Sequence, residues 1–266
     1  MTEPLGRAGA AGRGLSPIEP RRSASLLLVR DDPLRVLMLR RGSSRGAFPS
    51  ALVFPGGVLE PVDGELARAS GAALIDEEAA LRVTAIRETW EEVGVLLAHG
   101  AGRRPLGAPE VPRPSDAGEA GLAGVLAAAT ARLAIDEVVP FGRWVTPVGG
   151  SRRFDTDFFL ARAPDEQEPT ADGVEAVAIR WVRPDEVPEL TSEMLLLPTL
   201  MNLRRLGEHR TVAEALAAAP HFPRVPVTST IDFDASGNPV VRIPAEAGYG
   251  VTEFHPRDAG HFDLER

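Results

Sequence analysis

Residues 87–95 read Arg87-Glu88-Thr89-Trp90-Glu91-Glu92-Val93-Gly94-Val95. They lie in a longer stretch, residues 77–97, with helical spacing. Leu81, Ala85, Thr89 and Val93 fall on one stripe, with Ile86, Trp90 and Leu97 beside it. The spacing predicts a helix that Gly94 brings to an end. On that helix Glu88, Glu91 and Glu92 stand at i, i+3 and i+4, so their carboxylates leave one face close together. Like charges this near raise one another's pKa unless something positive sits among them. A hard divalent cation supplies that charge, and an all-oxygen donor set suits Mg2+ or Mn2+. Arg87 reaches Glu91 at i+4 and is expected to fix its orientation. A solvated acidic helix face would carry the same three glutamates. The apolar stripe, which pins the helix to a core by its other side, favours the metal reading.

Working outward, residues 23–30 and 36–40 are short apolar runs joined by Asp31-Asp32-Pro33, and read as a hairpin. Leu52-Val53-Phe54 reads as a short strand stopped by Pro55-Gly56-Gly57, a turn able to bring backbone groups close to a metal or phosphate. Residues 58–75 read as irregular and acidic. Downstream come a Pro/Gly-rich loop (103–117), a helix (118–133), strands at 141–147, 153–163 and 174–182, and an acidic loop at 164–173. Two short helices (198–206 and 211–219) and a hairpin (225–233 with 239–243) follow. Strands and helices interleave without a regular βαβ beat, so the expected fold is α/β, an α/β/α sandwich with a mixed sheet and a C-terminal α+β extension. The expected organisation is a flexible tail (1–22), a main domain (23–189) and an extension (190–266) packed on it.

The chain has 266 residues, with 38 acidic and 29 basic side chains and a net charge of -9. No lysine occurs, so every basic residue is arginine, and there is no cysteine. A thiol nucleophile, a cysteine-ligated metal, a Schiff base and a P-loop lysine are therefore excluded. Positive charge at a site must come from arginine, histidine or a metal, and arginine's planar fork suits phosphate. Arg40, Arg41, Arg45, Arg152 and Arg153 are candidate phosphate clamps. The five histidines show no metal spacing. Phe154, Phe158 and Phe159 read as core rather than as a stacking surface. No apolar run approaches the 18 or so residues of a membrane helix, and neither a basic patch nor a helix-turn-helix appears. The expectation is a cytoplasmic protein without membrane or nucleic-acid partners, and a candidate homodimer.

Residues 87–95 together with Phe54-Pro55-Gly56-Gly57 resemble the Nudix box. Its pattern runs Gly, five residues, Glu, seven residues, then Arg-Glu-apolar-x-Glu-Glu-x-Gly-apolar. Thr89 stands where an apolar residue is usual. The box would span 56–95, with roughly 16 extra residues inserted at about 60–78. The insertion leaves the first Glu unassigned: counting forward from Gly57 gives Asp63, whereas counting back from Arg87 gives Ala79, beside Glu77 and Glu78. An insertion here, with the segments 153–159 and 197–200, is similar to the branch that includes animal peroxisomal coenzyme A diphosphatases.

The resemblance implies a Nudix-type sandwich and metal-dependent hydrolysis of a small-molecule diphosphate. Coenzyme A or acyl-coenzyme A is the first candidate substrate, and nucleoside diphosphate-linked compounds or a non-catalytic binding module are the alternatives. Glu88, Glu91 and Glu92 would hold Mg2+ or Mn2+ with the Gly56 carbonyl, and Arg87 would support them. Glu88 is a ligand or the group that orients the water. A carboxylate from a distant loop acts as base in many members, and Glu175 is the candidate. Arg40, Arg45 and Arg153 are the candidate substrate contacts.

Overall fold

The computed structural model describes residues 18–42, 50–71, 76–148, 152–187 and 194–255. Strands β1 (Arg21–Arg30) and β2 (Arg35–Arg41) form the expected hairpin, but they pair only beside the turn, at Val29–Val36 and Arg30–Arg35. Beyond that point they diverge, and the segment bearing β3 (Leu52–Val53) and β4 (Gly56–Val58) enters the fork. β3 pairs with β2, and β4 with β1. The Pro55-Gly56-Gly57 segment therefore does not end the strand, as the sequence suggested. It shifts the chain from one arm of the fork to the other and pairing resumes at Gly56.

A second correction follows at residues 58–75, read as irregular. They contain helix α1 (Pro61–Ala69), with Pro at its first turn, Asp63 near its N-terminus and Arg68 in its last turn. Gly64 and the several acids masked that signal. Helix α2 (Glu77–Val93) starts at Asp76, whose carboxylate accepts the Ala79 N–H. It stops at Gly94, which takes up a left-handed φ of 73°. Every residue of its predicted apolar stripe that lies in the helix is buried. Thr89, at the position usually apolar, satisfies its hydroxyl on the Ala85 carbonyl at 2.7 Å.

The chain continues through β5 (Ala98–His99), α3 (Gly121–Ala128), β6 (Arg132–Leu133), β7 (Val139–Val145), β8 (Phe154–Arg162) and β9 (Ala176–Val182). β8 lies parallel to β1 over its whole length, and β7 and β9 flank antiparallel, giving a seven-stranded mixed sheet. Alternation along the strands sends side chains to opposite faces. Ala24, Leu26 and Leu28 of β1 join a cluster with Leu81, Ile86 and Trp90 of α2, whereas Leu27 and Val29 join a cluster on the other face. Phe159 belongs to the first cluster and Phe158 to the second, so both are core, as expected.

That second face is covered by α4 (Leu197–Leu206), α5 (Val212–Ala218) and the sheet of β10 (Thr230–Phe233), β11 (Pro239–Arg242) and β12 (Glu253–Phe254). Met201, Leu203, Val212, Val241, Ile243 and Phe254 pack there. The arrangement is a three-layer α/β/α sandwich. The boundary expected between residues 189 and 190 falls outside the described residues, as do residues 1–17 of the tail. Residues 21 and 22, assigned to that tail, belong instead to β1. Among the described residues no helix is long and apolar enough to cross a membrane.

Candidate active site

Arg87 organises the site. Its Nε donates to Asp63 Oδ1 at 2.8 Å and its Nη2 to Asp63 Oδ2 and the Val58 carbonyl, both at 3.1 Å. Its Nη1 donates to Glu88 Oε1 at 2.9 Å and to Glu91 Oε2 at 2.8 Å. All five guanidinium donors are thereby used. Asp63 is fully buried, and its Oδ2 also accepts the Thr84 hydroxyl at 2.8 Å and the Glu60 N–H at 2.9 Å. Of the carboxylates that the insertion left in question, Asp63 is therefore the one that holds Arg87. Of the other candidates, Glu77 pairs with Arg22, and Glu78 with Arg82 and Arg224. Burial alone would lower the Arg87 pKa, but Asp63, Glu88 and Glu91 raise it further above its ordinary value.

The Gly-Gly turn lies against the glutamates. The Gly56 N–H donates to Glu92 Oε2 at 2.9 Å. A Cβ on Gly57 would stand 2.2 Å from Glu88 Oε1, so only glycine admits that carboxylate. Burial, helped by Glu91 and opposed by Arg87, lifts the Glu88 pKa to about 7. Burial likewise lifts Glu92 to about 8, against the Gly56 N–H and with the help of Glu88. Glu91 is more open, with 41% of its side chain exposed, and burial raises it too.

Glu175 comes from the segment before β9 and is exposed. Its charge reaches Glu92 and raises the Glu92 pKa, whereas that of Arg41 lowers it. The backbone three residues earlier bonds the Glu92 carbonyl (Asp172 N–H, 3.1 Å), so the segment that carries Glu175 lies at the same end of α2 as the glutamates. The candidate arginines fare differently. Arg45 lies outside the described residues. Arg153 donates to the carbonyls of Thr146, Pro147 and Ile18, which ties it to the β7–β8 connection rather than to the glutamates. Arg40 is in register with Leu52, a member of the second cluster, so it lies on the sheet face away from α2, in a recess with Ala178 and Arg180. Alternation along β2, with Leu39 on the α2 side and Arg40 on the other, turns Arg41 to the α2 face, where it is the cation near Glu92. The period-2 signal in Leu37, Leu39 and Arg41 could have singled out Arg41 from its neighbour.

Among the described residues no three acidic or histidine side chains are already gathered round one point as a metal cage. Glu88 and Glu91 are held by Arg87, and Glu92 by Gly56. The donor chemistry nevertheless fits a hard cation. The carboxylates are crowded and desolvated, and burial holds two of their pKa values near or above neutrality despite Arg87 and the Gly56 N–H, so an added cation would be favoured there.

A sequence family described as the NUDT19 Nudix domain matches residues 65–206. The chain belongs to the NUDT19 Nudix family. Its Nudix fold is shared with a solved NUDIX hydrolase from Alicyclobacillus acidocaldarius, which is 29% identical. That match has a TM-score of 0.65 and covers 75% of this chain and 96% of that one. The human acyl-coenzyme A diphosphatase NUDT19 is 27% identical, covering 68% of this chain and 62% of its own. The candidate nudix hydrolase 7 of Caenorhabditis elegans is 29% identical, covering 71% and 61%. The chain thus spans about three fifths of the length of these curated relatives.

Proposed function

We propose that this chain is a divalent-metal-dependent Nudix hydrolase that cleaves a diphosphate linkage, with coenzyme A or an acyl-coenzyme A as the first substrate to test. The observation that carries the reading is the Glu88–Glu92 pair. Glu92 is buried and Glu88 half-buried against a glycine turn, and burial raises the pKa of both. Arg87 pairs with Glu88, but no ion pair reaches Glu92 among the described contacts, and a bound cation would offset the cost of burying that carboxylate. Mg2+ or Mn2+ bound there would neutralise diphosphate charge and acidify a bound water.

Glu88, Glu91 and Glu92 supply the carboxylate oxygens, with the Gly56 carbonyl as a further ligand. Arg87 keeps Glu91 aligned, and Asp63 keeps Arg87 aligned. Glu175 takes up the proton of the attacking water. Arg41 faces the phosphates from the β2 side. The choice of an acyl-coenzyme A rests on the likeness to the human acyl-coenzyme A diphosphatase.

The test is a panel of diphosphate compounds incubated with Mg2+ or Mn2+, with product masses read. Cleavage at the diphosphate of coenzyme A, lost on chelation and in Glu92→Gln, is the expected result. If the panel is untouched, or Glu92→Gln turns over like wild type, the reading is wrong. If nucleotide sugars are cut and coenzyme A is not, the substrate assignment alone falls.

A further inference from the structure

The site contains an acid that none of the roles above uses. Asp172 lies three residues before Glu175 and touches both halves of the site. Its backbone N–H donates to the Glu92 carbonyl at 3.1 Å. Its carboxylate collects three successive N–H groups: Val174 at 3.1 Å, Glu175 at 3.1 Å to each oxygen, and Ala176 at 2.8 Å. From the other side, the Glu175 carbonyl accepts the Gly42 N–H at 2.9 Å.

The segment ahead of Asp172 is fastened to the same helix end. Thr170 N–H donates to the Val93 carbonyl at 2.9 Å. The buried Gln167 amide accepts the Leu96 N–H at 2.8 Å and donates to the Leu96 and Leu106 carbonyls. Apolar packing does not fix the segment at Glu175 itself: Glu175 is exposed and Val174 is 56% exposed. Polar contacts to the main chain must do that work, and Asp172 supplies most of them.

We propose that Asp172 is a positioning residue that fixes the backbone of Glu175 at the C-terminal end of α2 and so sets where the Glu175 side chain starts from. The proposal rests on the reading of Glu175 as the base. In chemical terms, Asp172 touches no reacting atom. Its charge-assisted bonds to three N–H groups restrict the backbone, and an ångström of drift in a catalytic group can cost about 100-fold in rate.

The test combines exchange with kinetics on wild type, Asp172→Ala, Asp172→Asn, Glu175→Gln and the Asp172→Ala/Glu175→Gln double variant. Hydrogen exchange should show residues 174–176 protected in wild type and open in Asp172→Ala, with α2 unchanged. With Mn2+ and coenzyme A, Asp172→Ala should lose about 10- to 100-fold in kcat with KM little changed. Asp172→Asn should recover most of it, because its amide oxygen accepts the same N–H groups. In the Glu175→Gln background, Asp172→Ala should cost nothing further.

Unprotected amides at 174–176 in wild type overturn the proposal whether or not any substrate is cleaved. So does a kcat loss that adds in full to that of Glu175→Gln. If Glu175→Gln turns over like wild type, the base assignment falls and the positioning role with it, while the Glu92→Gln result still decides the metal site separately.

Discussion

Asp63 and Arg87 form a buried two-armed ion pair, at 2.8 and 3.1 Å, across 24 positions of sequence. Both are almost fully enclosed, so removing either breaks a buried pair: Asp63 would lose its only cation, and Arg87 would keep Glu88 and Glu91 but leave its Nε unmatched. Asp63→Ala is therefore expected to cost about 3–5 kcal/mol of stability, the range for breaking a buried pair. It should also loosen Glu91, which Arg87 orients. Denaturant unfolding checks the first expectation and turnover the second. A variant as stable as wild type would show that the pair is not what fixes α1 to α2.

Gly57→Ala makes a different kind of change. The added Cβ meets the end of the Glu88 side chain, not backbone, so the fold can survive by swinging that carboxylate aside. The expected outcome is near-normal stability with turnover reduced about 10- to 100-fold, since a carboxylate of the proposed site is displaced by about an ångström or more. Circular dichroism and a metal-dependent rate measurement on the same sample separate the two effects. Retained turnover would place Glu88 outside the reacting centre.

The pH dependence of stability follows from Glu92. Its pKa rises from an ordinary 4.5 to about 8 on folding, so the folded state binds the proton more tightly than the unfolded state. Between those values stability falls as pH rises, and the loss is complete above about 8. Glu92→Gln removes this charge. In metal-free buffer it should equal wild type near pH 5 and exceed it in stability near pH 8. Millimolar Mg2+ should reverse the order at pH 8, because only wild type has the ligand. Thermal unfolding at the two pH values, with and without the ion, is sufficient. An unchanged difference between the proteins at pH 5 and pH 8 would contradict the assigned shift.

On the far face of the sheet Arg205 is 3% exposed. It stacks 3.6 Å from the Tyr249 ring and 4.8 Å from Phe222, and it donates to the Phe141 and Ala247 carbonyls. Burial lowers its pKa. Arg205→Met removes two charge-assisted hydrogen bonds and a desolvated cation–π contact, for an expected loss of about 3–5 kcal/mol. Limited proteolysis should then cut between residues 219 and 249 sooner than in wild type. Equal cleavage rates would mean that other contacts hold the C-terminal segment.

Sequence alone reached the α2 face because helical periodicity and a like-charge triad are local signals. It also read both β1 and β2, whose apolar runs are bounded by Asp31-Asp32-Pro33. It missed α1, since Gly64 and a cluster of acids obscure a short helix whose partner is α2 rather than water. Asp63 lay at the forward count from Gly57, but choosing it over Glu77 and Glu78 required knowing that the added residues leave and return between Asp63 and Arg87. Arg40 and Arg153 looked like phosphate contacts because arginine chemistry is local, whereas the useful face depends on which side of the sheet α2 covers and on whichever carbonyls lie nearby.

The sheet that separates the two hydrophobic clusters acts as a partition wall between two kinds of trait. Trp90, Ile86 and the glutamates answer to one side, and Met201, Val241 and Tyr249 to the other. Residues with no shared neighbours contribute almost independently. Durability can therefore be adjusted from the C-terminal side while the chemistry beside Gly57 stays as it is, which gives an engineer a place to begin that is not the site itself.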